Sequence, residues 1–241
     1  MIGWTPKPFI FVHIPKCAGT SIEQALLPTV TQRQTFRELT DEDRHRYWLP
    51  GTESLQHRKL RAYISNFRIN EYFKFSFVRN PWDRAVSQIH YLASTARARL
   101  FRGKTFKEQI KAYCNAKTVL WGHDLSANQV DYLTGSSGMV EMDYIGKFES
   151  LEADFDIVCR KIGIQPKPSL SHVFNSRREL HYSACYDAES AELIGQRFFK
   201  DINFFGYRFE RMTISLSVPK TEEFESKPVE SRSSALGTVD G

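Results

Sequence analysis

Lys16, Gly19, Thr20 and Ser21 fall within the short segment Pro15-Lys16-Cys17-Ala18-Gly19-Thr20-Ser21, between the apolar run Pro8-Phe9-Ile10-Phe11-Val12-His13-Ile14 and the periodic stretch Ile22-Glu23-Gln24-Ala25-Leu26-Leu27. A loop that leaves a strand and opens a helix this way makes an anion site by two routes. Gly19 lets the backbone approach a ligand closely, and the free N–H groups of the first helical turn carry partial positive charge. Lys16 adds a full charge, and the Thr20 and Ser21 hydroxyls donate further hydrogen bonds. The candidate anion loop is therefore Lys16, Cys17, Ala18, Gly19, Thr20 and Ser21, sized for a phosphate or sulfate. Gly-Thr-Ser is also an ordinary helix start, so the loop alone does not decide. It is not a Walker A loop, which carries its Lys after the last Gly, whereas Lys16 precedes Gly19. No carboxylate closes the first strand to hold magnesium, which weighs against ATP or GTP hydrolysis.

A second candidate lies at Arg79, after the run Tyr72-Phe73-Lys74-Phe75-Ser76-Phe77-Val78, with Ser87 eight residues further on. Arg79 offers a planar fork and Ser87 a hydroxyl about two helical turns into the next helix, together enough for a second phosphate. The competing reading makes Arg79 an ion-pair partner of Asp83 or a helix-end contact, and Ser87 a plain helix surface residue.

These groups need a frame. Asn80 is a helix cap and Pro81 suits the first helical position, so a helix is expected from Pro81 to about Ala96. A third unit is Tyr144-Ile145-Gly146-Lys147-Phe148, followed by a helix whose Leu151, Phe155, Val158 and Ile162 share one face until Gly163 and Pro166 stop it. Strands alternating with helices at these distances predict an α/β layer fold with a mainly parallel sheet, and ligands bind such sheets at the carboxyl ends of the strands. If the first two strands are parallel neighbours, Lys16 and Arg79 share a rim. Helical inserts are expected around 41–49, 55–67 and 105–114, and a last helix from the N-cap Asp187 through Leu193, Ile194, Phe198 and Phe199. Residues 1–212 read as one domain. Residues 213–241 turn polar, rich in Ser, Glu and Pro without periodicity, and read as a disordered tail.

The 241 residues, 41% hydrophobic with 18 Phe, suffice for a full core. Cys17, Cys114, Cys159 and Cys185 are too few and too widely spaced for a disulfide scaffold or a zinc site, which points to reduced thiols in a cytosol. No apolar run approaches the roughly 20 residues that span a bilayer, and Met-Ile-Gly-Trp-Thr-Pro lacks the order of a signal peptide. A cytoplasmic protein without a membrane span is expected. The net charge of +5 is uneven: residues 57–111 hold 13 bases against three acids, whereas residues 212–241 hold three bases against five acids. The positive field is concentrated beside Arg79, which favours an anionic partner over general solubilisation.

The pair Phe11-Val12-His13-Ile14-Pro15-Lys16-Cys17-Ala18-Gly19-Thr20-Ser21 and Phe77-Val78-Arg79-Asn80-Pro81-Trp82-Asp83-Arg84-Ala85-Val86-Ser87 resembles the carbohydrate sulfotransferases of the heparan 2-O and chondroitin 4-O type. Weaker similarity runs through Asp143–Glu149, Asn175-Ser176-Arg177 and Phe205–Phe209, so it covers roughly 8–210. The resemblance implies a P-loop-like, three-layer α/β fold with the mainly parallel sheet flanked by helices. It implies 3′-phosphoadenosine 5′-phosphosulfate (PAPS) as donor, PAP as product, and no metal. The first loop would bind the 5′-phosphosulfate, and Arg79 and Ser87 the 3′-phosphate, with Arg177 adding a contact. Cys17 stands where Thr is common in the family; a small side chain turned from the ligand leaves the backbone site intact, so an inert thiol is expected. Sulfuryl transfer needs in-line geometry and charge stabilisation at the leaving oxygen, a task for Lys16. An alcohol acceptor must lose its proton; the resemblance places the base histidine between the two motifs, where His57 is the preferred candidate, since an imidazole suits the task near neutral pH, against a plain surface histidine or a base among Glu42, Asp43 and Asp124. His13 reads instead as a buried core residue, and Trp82 as a residue packed beneath its helix.

The expected partner is a hydroxyl-bearing acceptor, a carbohydrate, a small metabolite or an anionic compound, and not nucleic acid. Two alternatives stand beside this reading. An atypical P-loop kinase or nucleotide hydrolase would need magnesium. A non-enzymatic polyanion binder using Arg58, Lys59, Arg61, Arg68, Arg97, Arg99, Arg102 and Lys104 would bind with strong salt dependence and no need of PAPS.

Overall fold

The computed structural model describes residues 2–29, 32–34, 59–64, 71–94, 99, 101–115, 119–120, 123–124, 127–171 and 180–211. The insert expected around 41–49, His57, Arg177 and the tail 213–241 lie outside the described residues. In chain order the strands are β1 (Ile2–Trp4), β2 (Pro8–Val12), β3 (Gln32–Gln34), β4 (Phe73–Val78), β5 (Val119–Leu120), β6 (His123–Asp124) and β7 (Tyr144–Lys147). The α-helices are α1 (Gly19–Leu26), α2 (Leu60–Ile64), α3 (Pro81–Ala93), α4 (Phe106–Asn115), α5 (Val130–Leu133), α6 (Leu151–Ile162), α7 (Ala188–Arg197) and α8 (Phe199–Phe205).

The apolar residues of β2 and β4 are covered on both faces, as strands of a parallel sheet must be. With a side-chain period of two, Phe9, Phe11, Phe75 and Phe77 face one way and pack on Ile22, Ala25 and Leu26 of α1 and on Phe155, Val158 and Ile162 of α6. Ile10, Val12 and Val78 face the other way, against Leu60 and Tyr63 of α2 and Tyr132 and Leu133 of α5. Helix, sheet and helix make the three layers. Ser76, polar in this second face, is satisfied by donating to the Val12 carbonyl at 2.7 Å.

β2, β4 and β7 are parallel neighbours, with Phe11 opposite Phe75 and Phe77 opposite Gly146. The sheet order is β3-β1-β2-β4-β7, and β1 pairs antiparallel with both β2 and β3. The expected parallel sheet is formed by β2, β4 and β7, and β1 and β3 add an antiparallel side that the sequence did not announce. The first strand pairs only to Val12, two residues short of the apolar run.

Helix boundaries follow their punctuation. Asn80 caps α3 by accepting from the Trp82 N–H at 3.1 Å, and Pro81 occupies the first turn. Gly163, at φ 83°, ends α6 in the left-handed conformation. Asp187 and Ser190 form a capping box for α7. Expected as one helix, this last segment breaks at Phe198 (φ −111°, ψ 28°), so α7 and α8 are separate. Their apolar residues join Trp82, Val86, Ile89 and Leu92 of α3 in a third core cluster. Among the described residues, no helix is long and apolar enough to cross a membrane.

Candidate functional site

The parallel pairing of β2 with β4 puts the segments after Val12 and after Val78 at the same end of the sheet. At that end the first loop turns sharply: Lys16 (φ 66°) and Ala18 (φ 63°) are both left-handed, although neither is glycine. Such residues cost about 1–3 kcal/mol each and persist where the surroundings enforce them, commonly at ligand clamps. Ala18 is the N-cap of α1 but has no side-chain oxygen to cap it, and no acidic residue lies in the first turn. The helix therefore opens with backbone donors and a positive dipole end that no side chain of its own neutralises.

Gly19 is required for a packing reason as well. A Cβ at this position would stand 2.0 Å from Cδ2 of His13, whose imidazole lies against the glycine backbone. His13 is buried, with Nδ1 3.3 Å from Glu23 Oε1, as expected of a core histidine. Thr20 and Ser21 are half-buried in the first turn of α1.

Arg79 joins the two motifs. Its Nη1 donates to the Lys16 carbonyl at 3.1 Å, its Nε donates to Asp83 Oδ2 at 2.7 Å, and the guanidinium lies 3.8 Å over the Phe148 ring. The ion pair with Asp83, weighed above as a competing role, is present and fixes the fork from its Nε side. Nη2 makes no hydrogen bond to a described residue. Lys16 Nζ lies 4.6 Å from the centroid of the Tyr91 ring on α3. Burial, and then the charge of Arg79, lower the Lys16 ammonium from 10.5 to about 8. Two cations held together against desolvation form a site that an anion relieves. Ser87 is half-buried in α3.

Cys17 points into the core: its thiol is 1% exposed, donates to Gln129 Oε1 at 3.2 Å, and is pushed up by burial to about 12. It stays protonated near neutrality, so the expected inert role holds. Trp82 packs in the third cluster and donates from Nε1 to the Ala191 carbonyl at 2.8 Å.

Several residues that support the site were not singled out from the sequence. Glu149 Oε1 accepts from the Asn80 N–H at 2.6 Å, and Oε2 accepts from the Tyr207 hydroxyl at 3.1 Å, tying the third strand end and the segment after α8 to the second motif. Arg84, fully buried, donates to the carbonyls of Pro15 at 3.2 Å and Ala127 at 3.1 Å, bracing the first loop from α3. Gln129 contacts both motifs. The signals available were the place of Arg84 inside the second motif and membership of Glu149 and Tyr207 in the weakly similar segments; Gln129 had none. The basic excess is also partly spent: Lys107 pairs with Asp187 and Glu189, and Lys111 with Glu189, at the start of α7.

A three-layer α/β fold with two anion-directed loops at the ends of adjacent parallel strands is the arrangement of P-loop-like group-transfer proteins. The protein family that matches, described as the Sulfotransferase family, does so over residues 5–208. The chain belongs to this family, and is a transferase that moves sulfuryl groups. No curated protein matches it. Membership sets aside the kinase and the non-enzymatic binder as readings of the site.

Proposed function

We propose that the chain transfers the sulfuryl group of PAPS to a hydroxyl of an acceptor, a carbohydrate or a small metabolite, by in-line displacement. The observation that carries this is the 3.1 Å bond from Arg79 to the Lys16 carbonyl, which brings the two anion loops to one rim. The donor set fits PAPS: a lysine and an uncapped helix start suit a 5′-phosphosulfate, and a guanidinium fork with the Ser87 hydroxyl suits a 3′-phosphate. PAPS supplies an activated sulfuryl group and leaves as PAP.

The chain's own groups do the rest. Lys16 and the amides of Ala18, Gly19, Thr20 and Ser21 hold negative charge on the leaving side, in a site whose donors are already oriented. Arg79, held by Asp83, with Ser87 and the family-implied Arg177, anchors the far end of the donor. His57 takes the proton of the acceptor hydroxyl. The decisive measurement is calorimetric titration with PAP: Arg79→Ala is expected to weaken binding by about ten- to a hundredfold, the loss of a charge-assisted contact. Unchanged PAP affinity in that variant overturns the two-loop donor site. His57→Ala is expected to cut turnover by about a hundredfold or more while PAP affinity holds, and normal turnover would remove His57 from the mechanism.

The lowered Lys16 ammonium makes binding depend on pH. Below about 8 the amine is charged before and after binding, so PAP affinity is flat. Above it the free protein must take up a proton to bind, and affinity falls by up to about tenfold per pH unit. For folding the sign is opposite: between about 8 and 10.5 the unfolded chain holds a proton that the folded one has lost, so stability rises with pH in that window. PAP titrations and thermal unfolding from pH 6.5 to 10, read as roughly unit-spaced points against the Lys16→Ala variant, check the two in turn. A PAP affinity that stays flat across the range would show that the Lys16 charge is not used.

A further inference from the structure

β4 ends its pairing at Val78, opposite Lys147 of β7. Arg79 is the first residue beyond the sheet, and its buried backbone N–H and C=O would there lack partners. The amide of Gln129, which is fully buried, replaces the missing strand: Arg79 N–H donates to Oε1 at 2.8 Å, and Nε2 donates to the Arg79 carbonyl at 2.8 Å. The same Oε1 accepts from Cys17 Sγ at 3.2 Å, so one side chain holds a residue of each anion loop. Gln129 is itself fixed, because buried Asp201 of α8 accepts from the Gln129 N–H at 2.8 Å and from the Val130 N–H at 2.9 Å.

We propose that Gln129 is the positioning residue that sets the separation of the two anion loops, and so determines how strongly the protein prefers a nucleotide bearing both 3′- and 5′-anionic groups over one bearing the 5′ group alone. The inference rests on the PAPS reading above. Gln129 touches neither ligand end; it acts through the backbone of Arg79 and the loop at Cys17. Selectivity follows because only a ligand that spans both loops is sensitive to their spacing.

The experiment titrates PAP and AMP, which lacks the 3′-phosphate, into the wild type, Gln129→Met, Arg79→Ala and the double variant. Gln129→Met keeps the volume and removes all three side-chain hydrogen bonds. It is expected to weaken PAP by about tenfold or more and AMP by less than about threefold, so that the preference for PAP shrinks. In the Arg79→Ala background it is expected to add less than about threefold, because only the part carried by the loop at Cys17 is left. Gln129→Glu keeps the acceptor for Arg79 N–H and Cys17 but sets an oxygen against the Arg79 carbonyl, and is expected to shrink the preference as well. Equal losses for PAP and AMP, or losses that add fully to those of Arg79→Ala, would overturn the proposal. So would failure of both Gln129 variants to fold, which would make Gln129 a core residue only. Should the wild type fail to bind PAP, or Arg79→Ala bind it unchanged, the donor reading falls; if Arg79 matters and Gln129 does not alter the preference, only this inference falls.

Discussion

Lys16→Ala is expected to lower turnover with PAPS by about a hundredfold to a thousandfold, the usual cost of removing a preorganised charge from the side where negative charge develops. PAP affinity should drop as well, by about tenfold. The amine sits over Tyr91 next to Arg79, lowered to about 8 by burial and by that neighbouring charge. A group so placed burdens the folded state whenever it is protonated, so its removal should leave the melting temperature unchanged or raise it. Lost activity with undiminished stability is the mark of a residue kept for function. Lys16→Arg retains a charge but not the compact ammonium, and should recover PAP binding better than turnover. Full turnover in Lys16→Ala, with melting temperature as control, would remove Lys16 from the chemistry.

Gly19→Ala is the second large effect. The new Cβ would meet the His13 ring at 2.0 Å, and that ring is itself buried beside Glu23, so neither can give way without moving the start of α1. Overpacking of this kind costs about 1–3 kcal/mol of stability. Because the displaced backbone is the anion loop, PAP affinity should fall by about tenfold or more. Thermal unfolding and calorimetry read the two losses. Adding His13→Ala should restore much of both by removing the obstructing ring. A Gly19→Ala protein that binds PAP normally would show that the loop tolerates the shift.

Much of the fold was legible from short segments. The β2–α1, β4–α3 and β7–α6 units are each encoded by an apolar run, a short turn and a 3.6-residue period, and the caps at Asn80, Gly163 and Asp187 act within a few residues of themselves. The strand β1 was missed because three residues, Ile2-Gly3-Trp4, carry no period; their pairing with β2 and β3 makes them a strand. The break at Phe198 was missed because the apolar pattern continues across it into Phe199 and Ile202. The antiparallel edge and the split helix leave the rim that carries the site unchanged.

The division within the site is similar. Sequence alone determined which groups are offered: a lysine, a Gly-Thr-Ser helix start and an arginine, each at a strand end, because strand, turn and helix signals are local and the chemistry of those side chains goes with their type. Only the tertiary structure decided that Lys16 and Arg79 meet, that Asp83 takes one edge of the arginine fork, that Cys17 turns inward, and that Gln129, Glu149 and Asp201 hold the loops. The backbone contacts of Gln129, Glu149 and Asp201 join residues 50 to 72 positions apart through side-chain hydrogen bonds. A glutamine making such a bond leaves no period or motif behind it; the role of Gln129 exists only once the sheet ends at Val78 and leaves the Arg79 backbone in need of a partner.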